Sequence, residues 1–152
     1  MKSKTLWAAF LAIPLALLCS SSLHAQGAQK PVFEGYKGVM IGTSMSDART
    51  KLGNAKDKSD AEDYYVFSDN ESVQVLYDNN KTVRVISINY VGKNAPSTMD
   101  ILGVEVEAKP DGSINKRVNY PKSGFWISYF KTGGDDPITV VTVQKMLPSE
   151  QQ

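Results

Sequence analysis

The sequence predicts an α+β domain, a tandem repeat of a short helix followed by three antiparallel strands, with the helices packed on one face of the sheet. Three observations carry this. The stretch "IGTSMSDARTKLG", Ile41 to Gly53, reads as a two-turn capped helix, after which the hydrophobic period switches to two. A second stretch, "YVGKNAPSTMDILG" (90–103), also ends in Leu-Gly and is again followed by three strand-like runs. Tyr90, Gly92 and Thr98 keep the mutual spacing of Tyr36, Gly38 and Ser44, which sets a period near 50 residues. One domain is expected over 36–147, with repeat one about 36–90 and repeat two about 91–147.

Ahead of that domain, "MKSKTLWAAFLAIPLALLCSSSLHAQ" has Lys2 and Lys4, an apolar run from Leu6 to Cys19, and then small polar residues. That is the layout of a signal peptide over 1–25, with cleavage after Ala25. The run is broken by Pro14 and is shorter than the roughly 18 to 20 residues a spanning helix needs. The expected location is therefore exported, periplasmic or outer-membrane-associated. Membrane association follows only if Cys19 is lipidated, and Leu18 is bulky where a lipoprotein signal wants a small residue.

Cleavage removes Cys19 and His24, the only cysteine and histidine. The mature chain is then without disulfide, thiol nucleophile, Ser-His-Asp triad or Cys/His zinc site. Its 15 basic residues face 16 acidic ones, so neither nucleic acid nor an acidic membrane is an expected partner.

Residues 26–35, rich in Gln and Gly with Pro31, read as a flexible lead-in. Ser44 is the expected N-cap of a helix over about 45–52, Asp47 favours the positive end of its dipole, and Gly53 is the left-handed C-cap. Met45, Ala48 and Leu52 share the face to be buried. "NAKDKSDAED" is a polar connection. "DYYVFS" (63–68), "ESVQVLYD" (71–78) and "KTVRVISINY" (81–90) are strands separated by Asp-Asn and Asn-Asn turns. In the third, Val83 and Val85 alternate on one face while Ile86, Ile88 and Tyr90 continue on the other. That requires a bulge near Arg84–Ile86 or cover on both faces. "KRVNY" (116–120), "GFWISYFK" (124–131) and "PITVVTVQKM" (137–146) are the later strands. A two-turn helix cannot hold itself in water, so its place is across the sheet, and the opposite sheet face stays open.

With those residues in view, "GVMIGTSMSDARTKLGNAKD" followed by "YYVF" and "VQVLYDNNKTVRVISINY" resembles the SmpA/OmlA, or BamE-like, domain of bacterial envelope proteins. Ile41, Gly42, Leu52 and Gly53 match that pattern outright. Ser44, Asp47 and Ala48 stand where Thr, Glu and Val are usual, and Asn54-Ala55 where Lys-Pro is. The tandem arrangement is similar to the β-lactamase inhibitory protein. The resemblances imply a non-enzymatic interaction module of the cell envelope with a protein partner, or, as the alternative, an inhibitor of a periplasmic or secreted enzyme.

Three strings echo serine β-lactamases: "SDN" at 68–70, "SINK" at 113–116 and "KTG" at 131–133. Their order is wrong, Ser113 follows the turn-like "KPDG", and the chain is too short for that two-part enzyme. Asp57, Asp60, Glu62 and Asp63 lack calcium-loop spacing and read as a solvated connection, and Asp135-Asp136-Pro137 reads as a turn. No catalytic residue, metal site, small-molecule cofactor or nucleic-acid contact is expected. A small hydrolase, relying on Ser/Lys with Ser113 as the residue to test or on paired carboxylates, is the remaining enzymatic reading.

The aromatics point to binding. If Phe125, Ile127 and Tyr129 face the core, then Trp126 and Phe130 lie on the other face, with Leu76 and Gln74 in equivalent places on the middle strand of the first half. Rigid aromatics on an open sheet face concentrate binding energy. The competing reading packs Trp126 under a loop or the N-terminal segment. Tyr64 and Phe67 carry the same ambiguity, since "YYVF" offers one aromatic to each face.

Overall fold

The structure, a computed structural model, describes residues 30–151; the expected signal peptide and Cys19 lie outside the described residues. It contains strands β1 (Gly35–Tyr36), β2 (Val39–Met40), β3 (Asp57–Lys58), β4 (Glu62–Ser68), β5 (Glu71–Tyr77), β6 (Val83–Val91), β7 (Ile114–Tyr120), β8 (Phe125–Lys131) and β9 (Ile138–Lys145). Helix α1 (Met45–Leu52) has eight residues, and α2 (Thr98–Leu102) has five. Single 3-10 turns occur at Pro121–Ser123 and Pro148–Glu150.

The expected fold class is corrected by this architecture. The described residues are mostly β: a seven-stranded antiparallel sheet in the order β3-β4-β5-β6-β9-β8-β7 and a two-stranded sheet β1-β2, with one helix of two turns and a second of only five residues. It is not a tandem helix-plus-three-strand repeat with helices packed on the sheet. The residue spacing that suggested a repeat joins unlike structures. Tyr36 and Gly38 belong to the tight β1-β2 hairpin, whereas Tyr90 lies within the long β6 and Gly92 follows it. Ser44 is an N-cap, but Thr98 is already the first helical residue behind the Ser97 cap.

Locally the chain follows its side chains. Ser44 Oγ accepts from the Asp47 N–H at 3.1 Å and starts α1, which turns Ala48 and Leu52 into the core. Gly53 ends it at φ 81° and ψ −140°, a positive φ outside the left-handed helical basin that had been expected. At α2, Ser97 and Asp100 cap each other reciprocally. The β1-β2 turn places Lys37 and Gly38 at φ 47° and 78°, the pairing a two-residue hairpin prefers. Lys37 Nζ then sits 4.0 Å from the Phe67 ring centroid.

In β6 the register slips at Arg84. Leu76 pairs with Val85 and Tyr77 with Val83, so Arg84 is the extra residue of a bulge. The bulge puts Val83 and Ile86 on the core face and Val85 on the other. The core joins Val73, Val75, Ile86, Ile88, Ile127, Tyr129, Val141 and Val143 of the sheet to Val39, Ala48, Leu52, Ile101 and Leu102 from outside it. Among the described residues no helix is long and apolar enough to cross a membrane.

Candidate protein-interaction face

Cross-strand pairing fixes which residues share a face. Asp63, Val75, Ile86, Val143, Ile127 and Val118 run across the sheet on the core side. The residues between them make three rows on the open side. One row is Glu62, Leu76, Val85, Gln144, Trp126 and Asn119; the next is Tyr64, Gln74, Ser87, Thr142, Ser128 and Arg117. The third is Val66, Ser72, Asn89, Val140, Phe130 and Asn115, beyond which Val91 pairs with Ile138.

Trp126, Phe130, Leu76 and Gln74 therefore occupy one face, as the alternation of β5 and β8 implied, without touching as a single cluster. Trp126 and Leu76 share a row with Val85 and Gln144 between them, roughly 14 Å apart at ordinary strand spacing. Phe130, two residues along β8, is 42 % exposed. Gln74 donates to Glu62 Oε2 at 2.8 Å.

Trp126 is half-buried. The Arg117 guanidinium lies 4.3 Å over its ring, and Arg117 Nη2 donates to Glu150 Oε1 at 2.9 Å. The second Glu150 oxygen accepts from the Leu147 N–H, so the C-terminal turn holds Arg117 in place. The Glu150 carboxyl is held below its ordinary pKa by that backbone bond first and by Arg117 next. The Trp126 indole N–H is buried without an acceptor among the described residues.

Sequence reasoning passed over Val66, Val91, Val140 and Ile138 on this face. Val66, Val91, Phe130 and Ile138 are all among the exposed large hydrophobics, as is Tyr64. Alternation within "ITVVTV" was the available signal. Of the ambiguous pair, Tyr64 turns to the open face, and Phe67 joins the core side, 5.6 Å from Tyr36 and 6.1 Å from Tyr65 between ring centroids.

The most perturbed ionisable groups lie on the opposite side, and they correct the reading of Asp63 as part of a solvated loop. Asp63 is 0 % exposed. It accepts from Arg49 Nε and Nη2, both at 2.8 Å, from Tyr77 at 2.6 Å and from Tyr65 at 3.2 Å. Burial alone would raise its pKa, but the Arg49 fork and the Tyr77 hydroxyl outweigh burial and hold it low. Burial and then Asp63 push the Tyr65 phenol up to about 12, and burial likewise raises Tyr77. Perturbed groups often mark a functional site. Here the Asp63 carboxylate is fully buried beneath a partly exposed Arg49, and the effect of the cluster is to tie α1 to β4.

Of the β-lactamase-like strings, "SINK" and "KTG" lie side by side, Ile114 pairing with Lys131 across β7 and β8. Ser113 precedes β7, Lys116 is exposed on that strand, and "SDN" forms the β4-β5 turn. Among the described residues no group of three acidic, His or Cys side chains is placed to hold a metal. Comparison with known proteins adds no relative: no protein-family model, curated protein or solved structure matches the chain.

Proposed function

We propose that this chain is a non-enzymatic protein-interaction module of the bacterial cell envelope, exported and of BamE-like type, which binds a protein partner through the open sheet face. The observation that supports the reading is that face itself. The face spans six strands, four of which carry Trp126, Phe130, Leu76 and Gln74 together with exposed Tyr64, Val66 and Ile138. At ordinary strand spacings it covers roughly 25 by 20 Å. That is about 500 Å² in projection, somewhat over half of the ~800 Å² each partner gives to a standard protein interface, and it offers a broad surface for contact. Aromatic anchors between short polar side chains are the composition of such a surface.

The envelope assignment rests on the signal-like N-terminus and on the Ile41-Gly42 and Leu52-Gly53 pattern. The same broad face suits a second reading, an inhibitor that covers the active-site cleft of a secreted or periplasmic enzyme.

The test is crosslinked affinity capture of the protein from its native envelope, with Trp126→Ala and Phe130→Ala as paired controls and circular dichroism to show that each variant is folded. A defined partner captured by the wild type and lost from folded variants supports the face as the site. An envelope assembly protein favours the first reading and an enzyme inhibited one to one favours the second. Equal capture by all three proteins refutes the assignment.

A further inference from the structure

The two edges of the seven-stranded sheet are finished differently. On one side β3 pairs with Asp63 and Tyr64, and the Lys56 and Ser59 N–H groups donate to the Tyr64 and Glu62 carbonyls, which closes the first half of β4. On the other side β7 pairs with β8 through an unbroken register from Ile114–Lys131 to Tyr120–Phe125. Among the described residues no backbone group of β7 bonds to anything beyond β8. Every second residue of such a strand turns both its N–H and its C=O outward, so the edge offers about three or four unused donor–acceptor sets in a row.

Open edges are commonly blunted by bulges, proline or charge. β7 has neither bulge nor proline; it has Lys116 and Arg117, both exposed. Arg117 is occupied by Glu150 and the Trp126 ring. Lys116 has no ion pair among the described residues, and it stands at the outer end of the row formed by Val141 and Tyr129, where an added strand would bring a side chain directly opposite. A second copy of the chain fits this edge poorly. Two β7 strands centred on a two-fold axis would set Arg117 against Arg117, with Lys116 alongside.

We propose that β7 is a docking edge for an extended acidic segment of a partner protein, added as a further strand with a carboxylate facing Lys116. The backbone supplies most of the attachment and the cation selects among partners, the division found in strand addition generally. This site is separate from the open face and does not depend on it.

The test uses two blocked peptides about nine residues long, enough to span the edge, alternating threonine with glutamate or threonine with lysine. Amide exchange of the full chain is followed by NMR. The glutamate peptide is expected to slow exchange of the outward β7 amides by about fivefold or more while the lysine peptide leaves them unchanged. Lys116→Glu, a surface change, should weaken the glutamate peptide by about fivefold and favour the lysine peptide. No slowing at millimolar peptide, equal slowing by both peptides, or protection confined to the open face overturns the proposal. So does β7 protection that grows with protein concentration in the absence of peptide, which would assign the edge to a second copy.

Discussion

Replacing Arg49 by Met should leave the Asp63 carboxylate in place with two of its four donors gone. Arg49 supplies the two 2.8 Å bonds to Asp63 and a third, at 2.7 Å, to the Ser59 carbonyl, and the Tyr65 and Tyr77 hydroxyls alone would remain. Removing one partner of a buried ion pair costs about 3–5 kcal/mol. The Arg49 side chain is 31 % exposed, so water can partly replace it, and the expectation falls near the lower end, about 3 kcal/mol. With a urea slope of about 1.5 kcal/mol per molar, the unfolding midpoint should drop by about 2 M. Arg49→Lys keeps the charge and loses the fork, and should fall between the two.

The pH dependence separates this account from a simple packing loss. In the wild type the folded pKa of Asp63 is lowered, so its contribution is present above the ordinary carboxylate range and is lost as pH falls through the folded value. In Arg49→Met the burial that raises the pKa is opposed only by the Tyr77 and Tyr65 hydroxyls, so the folded pKa rises and protonation relieves the buried charge. The gap between the two proteins should therefore narrow as pH falls from 7 toward 4, measured by urea unfolding and far-UV circular dichroism. A gap below about 1 kcal/mol at pH 7, or one of constant size across that range, would refute the reasoning.

Gly133→Ala should destabilise by about 1–3 kcal/mol in the same assay, because a Cβ there would stand 1.9 Å from the Asp111 carbonyl oxygen, and Gly35→Ala should do likewise against the Val39 carbonyl oxygen at 2.0 Å. Tyr36, Tyr65, Tyr77, Tyr90, Tyr120 and Tyr129 all have raised pKa values, each chiefly through burial. Their contribution is intact below pH about 10 and is lost as pH climbs through the folded values. Phenolate absorbance should thus lag an unfolded control, and stability should decline above pH 10. Glu150→Gln should loosen Arg117 over Trp126; in a Trp7→Phe background, acrylamide should quench Trp126 fluorescence more readily than in the parent, and unchanged quenching would show that the C-terminal turn does not hold the cover.

Helix α1 was legible because its start and stop are written in single residues, Ser44 and Gly53. The long strands were legible because Val73, Val75 and Tyr77, and again Phe125, Ile127 and Tyr129, alternate strictly. The same alternation placed Trp126, Phe130, Leu76 and Gln74 on a common face. Two-residue strands such as β1, β2 and β3 have no period to detect. The apparent repeat came from matching residue types at matched spacing, and tertiary context gave Tyr36 and Tyr90 different roles. Asp63 looked like one carboxylate of a polar loop because the partner that makes its burial tolerable, Arg49, lies 14 positions earlier on the helix. The cover on Trp126 depends on Glu150, 33 positions beyond Arg117, a distance that no local pattern spans.

The place of β9 in the sheet has a consequence for the nascent chain. The last of the described strands is inserted between β6 and β8, and Ser87 meets Thr142 across 55 positions. Until Ile138–Lys145 emerges, β4-β5-β6 and β8-β7 are separate pieces, each with an apolar row and a raw edge where β9 belongs. Contacts of such long range form slowly, and unpaired edges invite other chains. A chain halted just before Ile138 would therefore be a hazard to its neighbours as well as an inactive fragment, and the interval before those eight residues arrive is when this protein most needs a chaperone.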